Sequence, residues 1–262
     1  VTWFSYLTLG IGGLLILAPF VWMISTSLKQ KSDVYIFPPE WIPSPIMWGN
    51  YAQALTTFPF PMYTLNSMII VVFVLIGSLL SCSFASYGFA RLNAPGRDLI
   101  FIILLATMML PAAVTMVPLY LFFNKLNWID TFLPLIVPAW FGNAFFTFLM
   151  RQFYMGVPRD LEDSAKIDGC NTITTFLRIM LPIAIPGVVV AMVFSFLFGW
   201  GDLVFALTFL SDTHKQPFTA GIFNFLGYQG ISWNNIMAFG TISIIPVVLI
   251  FVFIQKYIVS GL

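Results

Sequence analysis

The chain divides into six long apolar runs separated by polar breaks. Val1 to Leu28 holds no charge before Lys29, and Asn66 to Ala90 stops at Arg91. Leu99 to Asn124 and Thr131 to Met150 follow. Leu181 to Leu210 is broken only by Asp202, and Ile236 to Ile254 ends at Gln255 and Lys256. A helix needs about 20 apolar residues to cross about 30 Å of hydrocarbon, so each run predicts one span. Pro19, Pro111, Pro118, Pro138 and Pro246 fall inside the runs, where membrane helices accept proline if neighbours satisfy the freed carbonyls. The pattern predicts an all-α membrane protein of six transmembrane helices, a single domain over 1–262.

Composition agrees. The 262 residues are 60% hydrophobic and 8% charged, with a mean hydropathy of +0.95. Soluble domains carry about a quarter charged residues, and water does not solvate so poor a surface. A net charge of +1 gives no basic field for nucleic acid. One histidine, His214, excludes a His-rich metal site. Cys82 lies in a span and Cys170 in a polar break, so no disulfide is expected. Val1 begins the first run without a basic stretch, and that run is too long for a signal-peptide core. It reads as a retained helix whose cytoplasmic leader has been trimmed.

With six spans both termini face one side. If that side is the cytoplasm, the inner segments hold Arg91, Arg97, Arg151, Arg159, Lys166, Arg178 and Lys256, against Lys29, Lys31, Lys125 and Lys215 outside. The positive-inside rule then favours cytoplasmic termini. Two outer loops are more than turns. Residues 29–63 carry Pro38, Pro39, Pro43, Pro45, Pro59 and Pro61 with Trp41, Trp48 and Tyr51, and 211–235 is rich in Gly, Phe and Asn. Either loop suits an external partner, or equally an aromatic belt at the interface.

The inner segment 151–181 is the most patterned. Pro158 suits a first helical turn, Asp160, Glu162 and Asp163 place acids at the positive end, and Gly169 is a natural stop. That predicts a helix of about 11 residues, roughly 16 Å long. Leu161, Ser164, Ala165 and Asp168 share one face, small enough for a partner to approach the backbone. Asn171 or Thr172 caps a second helix, with Phe176, Ile179 and Met180 as an apolar stripe. An amphipathic helix lying on anionic lipid would need a basic polar face; the acidic start opposes it.

Asp163-Ser164-Ala165-Lys166-Ile167-Asp168-Gly169, nine residues, then Ile179-Met180-Leu181-Pro182 resembles the EAA motif of ABC-importer permeases. Asp163 stands for the usual Glu and Ser164 for the first Ala. Pro19 to Lys29, Phe37-Pro38-Pro39 with Asn50-Tyr51, Tyr87 to Arg91 and Gln255-Lys256-Tyr257 look like the carbohydrate-uptake branch, which contains the smaller membrane subunit of the maltose permease. The resemblance implies a type I ABC-importer transmembrane domain in the bacterial inner membrane, forming half of a translocation path for a sugar or oligosaccharide. It implies a second, different permease subunit, two ATP-binding subunits that hold ATP and Mg, and an external solute-binding protein. It also implies a coupling helix seated in a cleft of the ATPase, with Glu162, Asp163, Ser164, Ala165, Asp168 and Gly169 in the coupling role.

The chain itself is not the engine. No lysine follows a glycine, so there is no P-loop. Neither H-E-x-x-H nor G-x-S-x-G occurs. No cofactor or catalytic residue is expected. For the solute, Asp202 in Phe198-Gly199-Trp200-Gly201-Asp202 is a charge inside a run, costly in lipid. It suits either the path or a wetted interface near the outer end. Trp200 and Gly201 accompany it. Asn143 suits a hydroxyl-rich ligand or an interhelical hydrogen bond. Phe141, Phe145, Phe146 and Trp200 suit sugar stacking or plain packing. The carbohydrate branch also handles polyols and glycerol phosphates; no span contains arginine, which favours a neutral sugar over an anionic solute. An ATP-independent secondary transporter is the alternative, but the spans lack the buried charge pairs that ion coupling uses.

Overall fold

The computed structural model describes residues 2–227 and 232–260. The Lys256 and Tyr257 side chains and residues 228–231 of the predicted outer loop lie outside the described residues. In chain order the helices are α1 (Thr2–Ser27), α2 (Gly49–Thr56), α3 (Phe60–Arg91), α4 (Arg97–Thr107) and α5 (Ala112–Lys125). Next come α6 (Leu133–Ile136), a 3-10 turn (Val137–Phe141), α7 (Ala144–Gly156), α8 (Asp160–Ile167) and α9 (Thr172–Thr175). A π turn (Phe176–Met180) leads to α10 (Leu181–Ile183), α11 (Ile185–Gly201) and α12 (Val204–Phe209). Last are α13 (Phe218–Gly221), α14 (Asn224–Gly227) and α15 (Trp233–Ser260). Among the described residues there is no strand.

Among the described residues, four stretches are long and apolar enough to cross a membrane: Trp3–Ser27, Phe60–Arg91, Leu133–Gly156 and Trp233–Gln255. The count reaches six if α4 with α5, and Thr172–Ile183 with α11, are each one bent span. Two of the predicted runs are bent rather than continuous helices. The run 99–124 bends by 100° between α4 and α5. Pro111 sits there as the residue before α5, with an extended ψ of 134°; lacking an N–H and disfavouring helix at Leu110, it cannot carry α4 straight on into α5. The run 181–210 is bent by 78° at its start, where Pro182 and Pro186 flank Ala184. It breaks again at Asp202, whose backbone is extended.

The described chain forms two compact units, Val1–Thr64 with Pro217–Leu249, and Leu65–Gln216 with Ile250–Leu262. The first is built on aromatic packing: Tyr63, Phe218, Phe225 and Phe239 are buried together with Ala54 and Ala238. Phe60 meets Phe218 edge-on at 5.2 Å. Rings of this size each remove 150–250 Å² from water and prefer such edge contacts. The 29–63 segment is tied down rather than free. Asn50 Nδ2 donates to the Ser27 and Lys29 carbonyls, both at 2.8 Å, at and just past the end of α1 where carbonyls lack helical partners. Trp41 lies edge-on to Trp22 at 5.1 Å, and the Lys29 ammonium sits 4.0 Å above the Trp22 ring. Burial lowers the Lys29 pKa against the opposing pull of Glu40 and Asp33.

The second unit has its core where α7, the π turn and α11 meet: Met150, Tyr154, Phe176, Met180, Val188 and Ala191, with Cys82 and Tyr87 of α3. α11 approaches α7 closely at Gly187, where a Cβ would stand 2.4 Å from the Phe153 ring. A larger residue there forces the helices apart. This unit carries every residue expected to couple or to line a path.

Candidate functional sites

The predicted inner helix exists as α8, but it is shorter than expected. It has eight residues and starts at Asp160, so Pro158 falls outside it. Asp160, Glu162 and Asp163 occupy its first turn and Lys166 its last, complementing the helix dipole. Its end is closed at Gly169, φ +82°, by Gly169 N–H to Lys166 O and Cys170 N–H to Ala165 O. That is a Schellman arrangement, which needs the left-handed conformation glycine adopts freely. A Cβ at Gly169 would meet nothing within 4 Å, so a substituent there points into open space. Asn171 then caps α9, its side chain accepting from Thr174 N–H at 2.8 Å. Of the expected stripe, Phe176 and Met180 are buried and Ile179 is half-buried.

The face of α8 is corrected. Leu161, Ser164 and Asp168 are exposed, and Ile167 is 87% exposed. Ala165, expected beside them, is buried, and so is Glu162. Three residues apart, the two turn inward together, while Asp163 pairs with Lys166 on the surface at 2.9 Å. The six coupling candidates thus split into an outward set of Asp163, Ser164, Asp168 and Gly169, and an inward pair.

The inward pair leads to Arg91, which the sequence marks as a span end, a positive-inside charge and part of a family-like stretch, but not as a contact. Arg91, the last residue of α3, donates through Nη2 to the carbonyls of Tyr154 and Val157 around the end of α7. Its Nε lies 3.8 Å from Glu162 Oε1. Both side chains are almost fully buried.

A cavity of about 500 Å³ lies among α3, α4, the 135–146 turn and α11. Val74, Ser78, Thr107, Pro138, Asn143, Phe145, Phe146, Phe198 and Asp202 contribute to its lining, as does the buried Ser195. Asp202 is the only ionisable group in that lining. Its Oδ1 also accepts from Phe205 N–H at 3.1 Å, capping α12. Asn143 fits neither expectation alone: its Oδ1 caps α7 by accepting from Phe145 and Phe146 N–H, and the residue still borders the cavity. Gly201 borders a shallower hollow of about 360 Å³ with Asp202. Trp200 does not face the cavity; it is buried and stacked on Phe196 at 5.7 Å. Ser78, Thr107 and Ser195 escaped the sequence pattern because a hydroxyl in an apolar helix usually bonds its own backbone.

A multi-pass α-helical protein with a polar cavity and a short acidic helix on a polar loop is the architecture of a membrane transport subunit. Residues 74–262 match the family described as binding-protein-dependent transport system inner membrane component, and the chain belongs to that family. It is 33% identical to the trehalose/maltose transport system permease protein MalG of Thermococcus litoralis, over 94% of this chain and 89% of that one. It is 31% identical to the sulfoquinovosyl glycerol transport system permease protein SmoH of Agrobacterium fabrum, over 94% and 87%. The fold matches a bacterial ABC transporter involved in import of the acidic polysaccharide alginate, with a TM-score of 0.83 over 97% of this chain and 94% of that chain at 22% identity. The chain is an ABC-transporter permease subunit of the inner membrane.

Proposed function

We propose that this chain forms half of the translocation path for a neutral sugar or oligosaccharide, delivered by an external binding protein and driven by ATP. The observation that carries the solute class is the cavity lining: hydroxyls, an amide, aromatic rings and one carboxylate, with neither Lys nor Arg. Anionic solutes call for arginine or helix N-termini, and Asp202 repels them. Names of relatives support sugar chemistry in general, one of them carrying an acidic group. The partners are a second permease subunit and two ATP-binding subunits that hold ATP and Mg, with termini on the cytoplasmic side. The apolar window of α1, none of it buried, suits lipid or a membrane partner. The outward face of α8, with Ser164 and Asp168, suits the cleft of an ATPase.

The test is reconstitution with the products of neighbouring genes. Wild type is expected to retain the ATPase subunits and take up neutral oligosaccharide in preference to a phosphorylated or sulfonated sugar. Gly169→Trp, at a positive φ and open to the outside, is expected to lower ATP-driven uptake by about tenfold or more through strain and a ring on the docking face. Solute flux that proceeds without any ATPase replaces this reading with secondary transport; preference for the anionic sugar removes the neutral assignment.

A further inference from the structure

We infer that the Arg91–Glu162 pair is the internal link through which displacement of α8 reaches the membrane helices, so that Glu162 couples by gripping its own chain rather than the ATPase. The inference rests on α8 being the docking helix. Its basis is the geometry around one guanidinium. Arg91 ends α3, and its Nη2 holds two carbonyls at the end of α7, while Nε faces Glu162 in the first turn of α8. Three elements therefore meet at one buried cation. The side chains are 5% and 11% exposed, which keeps Glu162 from any partner that docks on the outward face.

The link is also incomplete. Arg91 Nε and Glu162 Oε1 are both buried without a hydrogen-bond partner, 3.8 Å apart. An N–H···O bond forms near 2.9 Å, so the gap exceeds a bond by about an ångström. Buried opposite charges attract strongly at low dielectric and are costly to part. A pair held just beyond bonding distance is sensitive to small shifts of α8: motion in one direction closes it, and motion in the other meets rising electrostatic resistance. Tyr87 lies near the Glu162 carboxylate and adds to the enclosure. Surface pairs such as Asp163 with Lys166 have no such lever, since solvent replaces either partner.

The experiment uses the whole transporter in proteoliposomes and reads ATPase co-purification, ATPase rate and solute uptake on the same sample. Glu162→Gln keeps size and removes charge. It is expected to retain the ATPase subunits and hydrolysis while uptake per ATP falls about fivefold or more, the scale of a site-to-site coupling. Arg91→Gln, alone and combined with Glu162→Gln, completes the set. If the two residues act as a unit, the double variant loses no more than the worse single variant. An unchanged uptake-to-ATP ratio, losses that multiply, or a Glu162→Gln chain that sheds the ATPase each overturns the inference. Failure of wild type to link uptake to ATP points instead to failure of the docking reading, which separates the two.

Discussion

Two ion pairs in the same unit behave as opposites. Asp130 and Lys215 meet on the surface at 2.9 Å, and each is bound several times over. Asp130 Oδ1 accepts from the Ser211 and Asp212 N–H groups, its N–H donates to Phe209 O, and Lys215 Nζ also donates to the Asp130 carbonyl. Arg91 and Glu162 are buried, stretched to 3.8 Å, and leave an atom each unbonded. The saturated pair is a staple between the 130 turn and the 211–215 turn. Nothing in it is available to respond to motion. The buried pair has lower bonding and higher electrostatic stakes, the combination expected of a contact that positions a moving helix.

The largest break in that contrast comes from Arg91→Ala. It strands a buried carboxylate and frees the carbonyls at the end of α7, and removing one partner of a buried pair costs about 3–5 kcal/mol. Purified subunit or complex is expected to melt far below wild type, read by thermal size-exclusion profiles in detergent. A melting temperature near that of wild type means that water or Tyr87 satisfies Glu162 and the pair is not closed off.

Asp130→Ala sharpens the contrast from the other side. It removes the carboxylate bonds to two backbone N–H groups, so the 211–215 turn loosens, with a clearly smaller drop in melting temperature than for Arg91→Ala. ATP coupling is expected to be unchanged in this variant. A loss of coupling equal to that of Glu162→Gln erases the distinction between the two pairs.

The smallest effect is the acid dependence. Backbone donation from Asp212, then the Lys215 ammonium, hold Asp130 below the usual carboxylate range. Because the folded pKa is depressed, the contribution is fully present above the unfolded value of about 3.9 and is lost as pH falls through the folded value. Lys215 is shifted upward, chiefly by its hydrogen bond to Asp130, so its share persists up to the ordinary lysine range and is lost only as pH rises through the folded value. Between pH 5 and 7 the stability difference between wild type and Asp130→Asn is therefore expected to be flat, then to shrink below about pH 4. The same difference shrinks with added salt, because exposed charges are screened. A salt-insensitive difference means that the backbone bonds, and not Lys215, carry the effect.

Much of this was legible in the chain. Apolar runs gave the helical membrane class, and the spacing from Asp163 to Pro182 gave the family resemblance that residues 74–262 then matched. Gly169 as a helix stop and Asn171 as a cap follow from local chemistry alone, since a left-handed turn and a side-chain acceptor act within a few residues. The bends at Pro111 and at Pro182 and Pro186 were less legible: proline inside an apolar run signals tolerance as readily as a break, and neighbouring helices decide which.

The inward turn of Glu162 and Ala165 was invisible in sequence because α8 shows similar residues on two faces, and only the packing of its own chain selects one. Trp200 is a similar case: sequence leaves it open between sugar stacking and packing, and the fold stacks its ring on Phe196 one turn earlier on α11. Arg91 was legible as a charge and not as a clamp, since Tyr154, Val157 and Glu162 lie more than 60 residues away along the chain.

By itself, then, the sequence determined the solvent this protein folds in, the helices that solvent demands, and the local caps and stops, because each depends on hydrophobicity or on contacts within a turn. Tertiary structure decided which face of α8 is free, which polar groups share a cavity, and which cation meets Glu162. Those depend on distant segments brought within a few ångströms, where burial turns an ordinary arginine and an ordinary glutamate into a pair that is costly to separate.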